Sequence, residues 1–449
     1  MVGQIVVVGA NAAGVNAAIT ARRTNRDADV VLITEEEEAA YSRCGLPYVL
    51  AGKIPQFGDL ITFSPNYFRS MRIELQTKTS VQAIDLHEKT VNMIHEDRRA
   101  ESMPYDSVVL ATGATPSILP IKGCEKEGVS SLRTLNDGLR IQEALVQAEK
   151  AVVIGANWNG LQMAYALAQK GKKTTLIESS SQILAETLDS SMANVAQKRV
   201  EENGVKVSLG AVADEIVGNG RAKGVRVGGK VVGADIILMS GGIRPRSELA
   251  VELGCDVGLA DAVKVDCQMQ TSMQGVFAAG DCVETQNLVT GMPTLASLGT
   301  VAVRQGRVAG VNAAGGYSVF PGALCSSVSR AFDFEIGSTG LTEDQAKRAG
   351  LPTVSAILNA KTKPEYFPGA KDICVKIVVE RDSGRIIGGQ VVGGEEVTQR
   401  VNMMSLAIQC QATVWELSKV DTCYAPPVSE MWESTTLTAD LANLLLRRS

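Results

Sequence analysis

The sequence predicts an α/β fold with two Rossmann-like units, followed by a separate α+β domain at the C-terminus. A strand–turn–helix–strand pattern at residues 4–35 predicts the first unit, and a second copy of it at 151–178 predicts the other. From about residue 321 the character changes to strands joined by short turns, with Asp-Ser-Gly at residues 382–384 as a hairpin signal, and a helical pattern closes the region. A chain of 449 residues is long enough for about two to four domains.

The first unit contains a glycine-rich turn between a buried strand and a helix. The turn GANAAG, residues 9–14, has the spacing G-x-N-x-x-G. Gly9 and Gly14 stand where a tight turn and close helix packing require glycine, and Asn11 is a residue that tolerates unusual backbone angles. Glu35, about 26 residues after Gly9, follows the next strand in place to accept a ribose hydroxyl.

The second unit repeats this pattern. The turn GANWNG places Gly155, Asn157 and Gly160 at the same spacing, and Glu178 ends the following strand about 23 residues after Gly155. Two complete units in one chain indicate two dinucleotide-binding sites, for which the natural pair is a flavin and a nicotinamide. Since no arginine follows closely behind Glu178, the sequence favours NADH over NADPH.

Other segments end in small residues at places where a strand meets a turn. The strand in YDSVVLATGA leads into residues 111–114, and a similar pattern, DIILMSGG, ends near Gly242. The strand in MQGVFAAGDC ends at Gly280 and Asp281. Small residues allow a bound cofactor to approach the backbone closely, so we expect these turns to line the nucleotide sites.

Composition excludes several classes of function. The net charge of −5 and the pI of about 5.4 argue against a nucleic-acid or membrane-surface partner. No apolar run reaches the roughly 18 residues of a membrane helix. The nine cysteines are scattered without a CxxC pair, which fits a cytoplasmic protein and no metal site. The two histidines, His87 and His95, lie in no motif and are interpreted as structural.

Taken together, these segments resemble the pyridine nucleotide–disulfide oxidoreductase family essentially end to end. The resemblance includes the two turns and the segments ATGATP, SLRTLNDG, GDCVET and YAPPVSEMWE. Cys44, in SRCGLPY, resembles the redox cysteine of the single-cysteine branch, which contains coenzyme A disulfide reductases, NADH oxidases and NADH peroxidases. The glutathione reductase branch has a second cysteine in C-x-x-x-x-C and a C-terminal histidine, and both are absent here.

The resemblance implies three domains and a homodimer. Residues 1–115 and 246–320 would form a discontinuous FAD-binding domain, with an NAD(P)H-binding domain at 116–245 inserted between them. Residues 321–449 would form a dimerisation domain that completes the partner's active site.

The resemblance also implies the cofactor contacts. For FAD these are Gly9, Asn11, Ala12, Gly14, Glu35, Arg43, Val81, Ala111, Thr112, Gly113, Arg133, Gly280 and Asp281. For NADH they are Gly155, Asn157, Gly160, Glu178 and Gly242. Trp158 could restrict access of the nicotinamide.

The chemistry expected at Cys44 follows from its isolation in sequence. A thiolate is needed to attack a disulfide, and without a second cysteine the oxidised form must be a sulfenic acid, a persulfide or a mixed disulfide. The family's oxidases and peroxidases commonly have a histidine where Ala12 stands, so the sequence favours reduction of coenzyme A disulfide or a related persulfide or polysulfide. An NADH oxidase and a redox sensor without turnover remain as alternatives.

Other residues would serve the substrate. Tyr366 and Tyr424 match the family's paired tyrosines, and a phenol could donate a proton to a departing thiolate. Arg43 stands where coenzyme A disulfide reductases often have asparagine, and it could lower the pKa of Cys44 or bind flavin or substrate. Cys423 could be a resolving thiol across the dimer. The remaining substrate contacts expected are Asn16, Thr20, Arg22, Arg23, Ser42, Arg72 and Trp432.

Overall fold

The structure is a computed structural model and describes residues 2–448. Its N-terminal part contains the strands β1 (Gln4–Val8), β2 (Asp29–Ile33), β3 (Ile73–Gln76), β4 (Thr79–Asp85), β5 (Thr90–His95), β6 (Ala100–Pro104), β7 (Ser107–Leu110) and β8 (Ala114–Pro116). The helices of this part are α1 (Ala12–Thr24), α2 (Leu46–Leu50) and α3 (Pro65–Ser70).

The central part of the chain begins after β8. Its strands are β9 (Val129–Ser130), β10 (Lys150–Ile154), β11 (Lys173–Ile177), β12 (Lys206–Ser208), β13 (Ala213–Val217), β14 (Gly224–Val227), β15 (Lys230–Gly233), β16 (Ile236–Met239) and β17 (Ile243–Pro245). Its helices are α4 (Leu135–Gln147), α5 (Trp158–Gln169) and α6 (Ser190–Glu202).

The last part returns to the first unit and then forms a new sheet. The return contains α7 (Glu248–Glu252), β18 (Val276–Ala278), β19 (Thr285–Gln286), β20 (Pro293–Thr294) and α8 (Gly299–Ala313). The new sheet and its helices are β21 (Ser327–Ala331), β22 (Phe334–Gly340), α9 (Glu343–Arg348), β23 (Thr353–Lys361), β24 (Asp372–Glu380), β25 (Ile386–Gly393), α10 (Val397–Gln409), α11 (Val414–Leu417) and α12 (Ser434–Leu446).

Two parallel sheets confirm the two predicted units. The first has the strand order β18-β7-β1-β2-β3 and the second β12-β11-β10-β16-β9. Their central strands are buried on both faces: Ile5, Val6 and Val7 of β1 are fully inaccessible to solvent. Burying each such side chain contributes about 1.5–3 kcal/mol, which explains why these strands read as continuous apolar runs.

Helices α1 and α8 pack unusually close together beneath the first glycine turn. A Cβ added at Gly306 of α8 would lie 2.1 Å from the carbonyl oxygen of Ala13, and one at Gly310 would lie 2.2 Å from that of Ala17. Only glycine fits at these two positions. This packing fixes the start of α1, where the first turn ends.

The C-terminal sheet is antiparallel, with the order β21-β22-β25-β24-β23. The predicted Asp-Ser-Gly hairpin is confirmed, since residues 382–384 join β24 to β25. The predicted closing helix is wrong in one respect: it is broken into α10 and α11, because Gln411 adopts φ 55°, which a right-handed helix does not allow. Helix α12 was not among the predicted elements.

The two histidines lie at the β4–β5 hairpin. His95 ends β5 and contacts Thr79 and Glu101, while His87 lies in the turn before β5 and pairs with Glu88. Within residues 2–448, no helix has the length and apolar character needed to cross a membrane.

Candidate active site

Cys44 lies on a short, tightly packed turn. Residues Arg43–Gly45 form a single 3₁₀ turn that leads directly into α2. Gly45 is buried, and a Cβ there would approach Leu60 to 2.3 Å, so the turn presses against its neighbour. Ser42 is half-buried, and its N–H donates to the carbonyl of Leu60. Cys44 itself is exposed, so this tightly packed turn presents its thiol to solvent.

The charges that shift the pKa of Cys44 are those of Asp281 and Arg133. The Arg133 guanidinium donates to Asp281 at 2.7 Å. The protein around the sulfur removes part of its water and, together with the Asp281 carboxylate, raises the pKa of Cys44, while Arg133 opposes this rise. The thiol is therefore the favoured form in this arrangement, and Arg133 is the side chain whose charge favours the thiolate.

The guanidinium of Arg43 contacts groups other than the Cys44 thiol. Its Nη2 atom pairs with Glu36 at 2.5 Å, its guanidinium lies 5.5 Å from the centre of the Tyr41 ring, and its Nη1 donates to the carbonyl of Arg133 at 3.3 Å. Of the roles left open for Arg43, lowering the pKa of Cys44 has no support here, because Glu36 neutralises the charge of Arg43 and Arg133 is the cation that lowers this pKa. Arg43 instead ties the turn of Cys44 to the main chain of Arg133.

The first glycine turn has no space for larger residues. Gly9 has φ 107°, and a Cβ there would lie 2.2 Å from the carbonyl oxygen of Ala111. A Cβ at Gly14 would lie 1.7 Å from the carbonyl oxygen of Gly9. Asn11 has φ −115°, so the interpretation that asparagine serves an unusual backbone angle is wrong: it is the N-cap of α1, and its side-chain oxygen accepts from the N–H of Ala12.

The second turn has the same backbone but a more complete set of hydrogen bonds. Gly155 has φ 100°, and a Cβ at Gly160 would lie 1.9 Å from the carbonyl oxygen of Gly155. Asn157, at φ −77°, also caps its helix, accepting from the N–H of Gly160 at 3.1 Å. Its amide donates to the carbonyl of Ser240 at 2.8 Å, and the Ser240 hydroxyl donates back at 2.6 Å.

The two predicted ribose acids are not equivalent. Glu178 directly follows β11, and its carboxylate accepts from the N–H groups of Ala156 at 2.6 Å and Ser180 at 2.8 Å. The position after β2 that matches Glu178 is Thr34. The N–H groups of Thr34 and Glu178 each donate to the carbonyl of the last residue of the neighbouring strand. Glu35 lies one residue further and forms a two-pronged ion pair with Arg246, whose hydrogen bonds lower the pKa of Glu35.

The first site fits a flavin dinucleotide. Among the residues that the structure describes, Asn11 Nδ2 and Arg133 Nε are buried nitrogens without a hydrogen-bond partner. Both are donors at predicted FAD contacts, and a group with acceptor oxygens would satisfy them. The turn residues Thr112 and Gly113 bond to the main chain of Arg246, which holds this edge of the site.

Tyr366 and Tyr424 meet in the C-terminal domain. Their hydroxyl oxygens are 3.2 Å apart, although the residues are 58 positions apart in sequence. Tyr366 lies in the loop between β23 and β24, and Tyr424 lies in the irregular segment between α11 and α12. Both rings are exposed, and the hydrogen bond shared with Tyr366 raises the pKa of Tyr424. The Tyr424 hydroxyl therefore stays protonated and can act as a donor.

The predicted substrate contacts divide into two groups. Asn16, Thr20 and Arg23 share one partly exposed face of α1 with Ala12, as their spacing requires. Arg22 turns away from that face and donates to the carbonyls of Arg26 and Arg72, which leaves it fewer donors for a phosphate. Both Arg72 and Trp432 are exposed.

Other predicted residues lie around the two nucleotide sites. Val81 is half-buried on β4. Trp158 begins α5 and packs, partly buried, against an apolar cluster that includes Ala151 and Val153 of β10. Gly242 has φ 90°, with open space beside it. Cys423 is exposed beside Tyr424.

Glu36 and Arg246 were not predicted as site residues. The run of four glutamates at 35–38 signals acidity in sequence, but nothing in it says that Glu35 pairs with Arg246 and Glu36 with Arg43.

Comparison with known proteins covers almost the whole chain. The model of the family described as pyridine nucleotide-disulphide oxidoreductase matches residues 3–306, and the model of the dimerisation domain of these proteins matches residues 329–436. The NADH oxidase of Methanocaldococcus jannaschii is 41% identical over 438 residues, which are 97% of each chain.

Two further proteins act on sulfur according to their names. The CoA-dependent NAD(P)H sulfur oxidoreductase of Pyrococcus furiosus is 33% identical over 96% of this chain and 97% of its own. The solved structure of an NAD-dependent persulfide reductase from A. fulgidus superposes with a TM-score of 0.95 at 36% identity, covering 99% of this chain and 83% of the other.

Proposed function

The chain belongs to the pyridine nucleotide-disulphide oxidoreductase family, enzymes that bind FAD and NAD(P)H, and we propose that it reduces coenzyme A disulfide or a related small disulfide, persulfide or polysulfide. The observation that carries this proposal is the placement of Cys44 on an exposed turn beside Arg133 and Asp281. Both histidines lie at the β4–β5 hairpin, so no histidine is available there as an acid for peroxide.

The cofactors would occupy the two glycine turns. FAD would lie on the first turn, along the residues assigned to it above, and NADH on the second. Bound FAD would supply redox chemistry, taking a hydride from NADH and returning two electrons to a sulfur. The domain limits proposed are 1–115 with 246–320, 116–245 and 321–449.

Cys44 would act as the nucleophile. Its thiolate attacks one sulfur of the disulfide, forms a mixed disulfide and releases one thiol. Two electrons and a proton then release the second thiol, so that one NADH and one proton yield NAD⁺ and two thiols. Arg133 favours the thiolate, and Arg43 holds the main chain of Arg133 in place.

The proton for the departing thiolate would come from the tyrosine pair of the partner subunit in a homodimer. In this chain Tyr366, Tyr424, Val428, Met431 and Trp432 are all exposed, which supports a surface that a second copy covers. The exposed face of α1 and Arg72 would bind the nucleotide part of coenzyme A, and Trp432 would contact the substrate. A cytoplasmic location is proposed with this function.

Replacement of Cys44 tests the proposal. In Cys44→Ser we expect NADH to reduce the flavin normally, while disulfide turnover falls by about 1000-fold or more because a serine hydroxyl cannot form the mixed disulfide. Cys423→Ser is the matched control and should retain turnover. Normal disulfide turnover in Cys44→Ser would end the proposal, and loss of turnover in Cys423→Ser would instead assign that residue as a resolving thiol.

An NADH oxidase is the second candidate, favoured by the name of the 41% identical relative. Oxygen consumption at a useful kcat without disulfide turnover would decide for it. The mass of the purified protein under non-reducing conditions separates the two, since a coenzyme A adduct, an added sulfur or an added oxygen on Cys44 each has its own mass. A redox sensor without turnover is not proposed, because members of this family are enzymes.

A further inference from the structure

The two tyrosines lie on irregular segments that share one anchoring point. The loop 362–371 joins β23 to β24 and carries Tyr366, and the segment 418–433 joins α11 to α12 and carries Tyr424. Neither segment has a regular backbone ladder to hold its tyrosine in place. Both are connected by ion pairs to Glu395 and Glu396, two adjacent residues between β25 and α10.

Glu395 holds the loop of Tyr366 from both ends. Lys363 Nζ lies 3.3 Å from one carboxylate oxygen, and Lys371 Nζ lies 3.4 Å from the other. Partial burial would raise the pKa of Glu395, but the two nearby lysine ammonium groups lower it below its usual value. The base of the loop is closed by the N–H of Thr362, which donates to the carbonyl of Lys371 at 2.9 Å.

Gly394 allows Lys371 to reach this position. A Cβ at residue 394 would lie 2.4 Å from the Lys371 Cδ atom, so any larger residue would push the lysine stem away. The strand end, the lysine and Glu395 are therefore packed as one unit.

Glu396 holds the segment of Tyr424 through Arg400. Arg400 is 5% exposed, and its Nη1 donates to the carbonyl of Glu396 at 3.0 Å and lies 3.3 Å from its carboxylate. The Nε of Arg400 lies 2.7 Å from Glu433, which ends the segment. Glu433 also caps α12, accepting from the N–H of Thr435 at 2.6 Å.

We propose that Glu395 and Glu396 are positioning residues that hold the two tyrosine hydroxyls together. Neither contacts a hydroxyl, and each acts through cations: Glu395 through Lys363 and Lys371, Glu396 through Arg400. The 3.2 Å contact between Tyr366 and Tyr424 then follows from the fixed ends of both segments. This inference rests on the proposed function, since it supposes that the tyrosines donate a proton to the leaving thiolate.

Glu395→Gln tests the positioning role with little change in shape. Glu380→Gln is the matched control, because Glu380 also pairs with a cation, Arg385. Glu380 lies at the far end of β24 from the tyrosine loop: at the rise of an extended strand it is about 25 Å from Asp372, where β24 begins. Hydrogen–deuterium exchange of the FAD-loaded dimer reports the loop directly. We expect residues 362–371 to exchange at least about 10-fold faster in Glu395→Gln and at the original rate in Glu380→Gln.

A double-mutant cycle with Tyr366→Phe connects the loop to the reaction. We expect Tyr366→Phe to lower disulfide turnover by about 100-fold, within the range for loss of a general acid, and Glu395→Gln to lower it by about 10-fold. The double variant should be no slower than Tyr366→Phe alone, because a misplaced phenol and a missing phenol have the same consequence. Flavin reduction by NADH should remain normal in all of them.

Four results would overturn the inference. One is an unchanged exchange rate of residues 362–371 in Glu395→Gln, and another is a double variant slower by the product of the two single effects. The third is normal turnover in Glu395→Gln while Tyr366→Phe is slow, which removes the positioning role and leaves the proposed function intact. Normal turnover in Tyr366→Phe would remove the proton-donor role from the proposed function, and the positioning role with it.

Discussion

The two glycine turns have the same backbone, yet only one of them is complete without a ligand. In the second turn Asn157 makes three hydrogen bonds, to Gly160 and to both polar groups of Ser240. In the first turn Asn11 uses its oxygen, but its buried amide nitrogen has no partner. The first turn therefore depends on a bound group to satisfy a donor, whereas the second does not.

The acids beside the turns differ in where their partners lie. Glu178 bonds to the backbone of its own turn, while Glu35 is held by Arg246, 211 residues away in sequence. A site whose hydrogen-bonding groups have partners within the protein suits a dinucleotide that binds and leaves in each cycle. A site with unsatisfied donors suits a dinucleotide that stays bound, and this difference matches a resident FAD and an exchanging NADH.

Replacing the last glycine of each turn should give the largest effects. We expect Gly14→Ala to be purified without flavin and without activity, because its Cβ would lie 1.7 Å from a carbonyl oxygen and must displace α1. Gly160→Ala, whose Cβ would lie 1.9 Å from the carbonyl oxygen of Gly155, should keep its flavin but lose reduction by NADH. The flavin-to-protein ratio from visible absorbance, followed by a titration with NADH, measures both outcomes.

Gly299→Ala is the control for these variants, since a Cβ there meets no atom within 4 Å. It should behave as the unmodified protein. If Gly160→Ala also lost its flavin, the two turns would not be separate sites, and the contrast between them would not hold.

Replacing the two asparagines should affect different properties of the protein. In the flavin-free protein, Asn157→Ala should lower the free energy of unfolding by about 2 kcal/mol, because it leaves the groups of Ser240 and the N–H of Gly160 without partners. Asn11→Ala should cost only about 1 kcal/mol for a lost cap, but weaken flavin binding by about 10-fold or more, since one donated hydrogen bond is lost. Chemical denaturation and flavin titration separate the two effects. Equal effects on flavin binding would contradict the contrast.

The sequence predicted these turns because the spacing that marks each of them lies within one short segment. Gly9, Gly14, Gly155 and Gly160 are required by backbone contacts within a few residues of each turn or with the adjacent strand. The spacing of strand, turn and helix therefore predicts both units, and the comparisons confirm the fold class.

What the sequence left open depends on contacts between distant segments. The pairing of Glu35 with Arg246 and the bond from Arg43 to the main chain of Arg133 join residues 211 and 90 positions apart. Nothing in the run of four glutamates distinguishes one from another. The tyrosine pair was expected from a resemblance, but its anchoring on Glu395 and Glu396 appears only when β24, β25 and α10 are assembled.

Glu178 should control the choice of nicotinamide, with a moderate effect. The phosphate that distinguishes NADPH from NADH would lie near the carboxylate, so Glu178→Ala should improve the KM for NADPH by about 10-fold and weaken NADH binding. Glu35→Ala is the matched variant at the first turn and should leave the preference between NADH and NADPH unchanged. Steady-state kinetics with both nucleotides measure this, and a shift in Glu35→Ala would mean that the two acids are not assigned to separate sites.

The smallest effect concerns the charges that the first site places beside Cys44. Asp281 contributes to the raised pKa of this thiol and Arg133 lowers it, so the two substitutions should move it in opposite directions. Arg133→Met should shift the pH profile of alkylation at Cys44 to higher pH, because the thiolate loses its nearby cation. Asp281→Asn should shift it to lower pH, and Arg43→Met should move it less than Arg133→Met, since Glu36 already neutralises Arg43. Mass mapping of the Cys44 peptide distinguishes this site from the exposed Cys267, Cys410 and Cys423. A larger shift in Arg43→Met than in Arg133→Met would show that Arg43, and not the charges of Arg133 and Asp281 in the first site, sets the reactivity of Cys44.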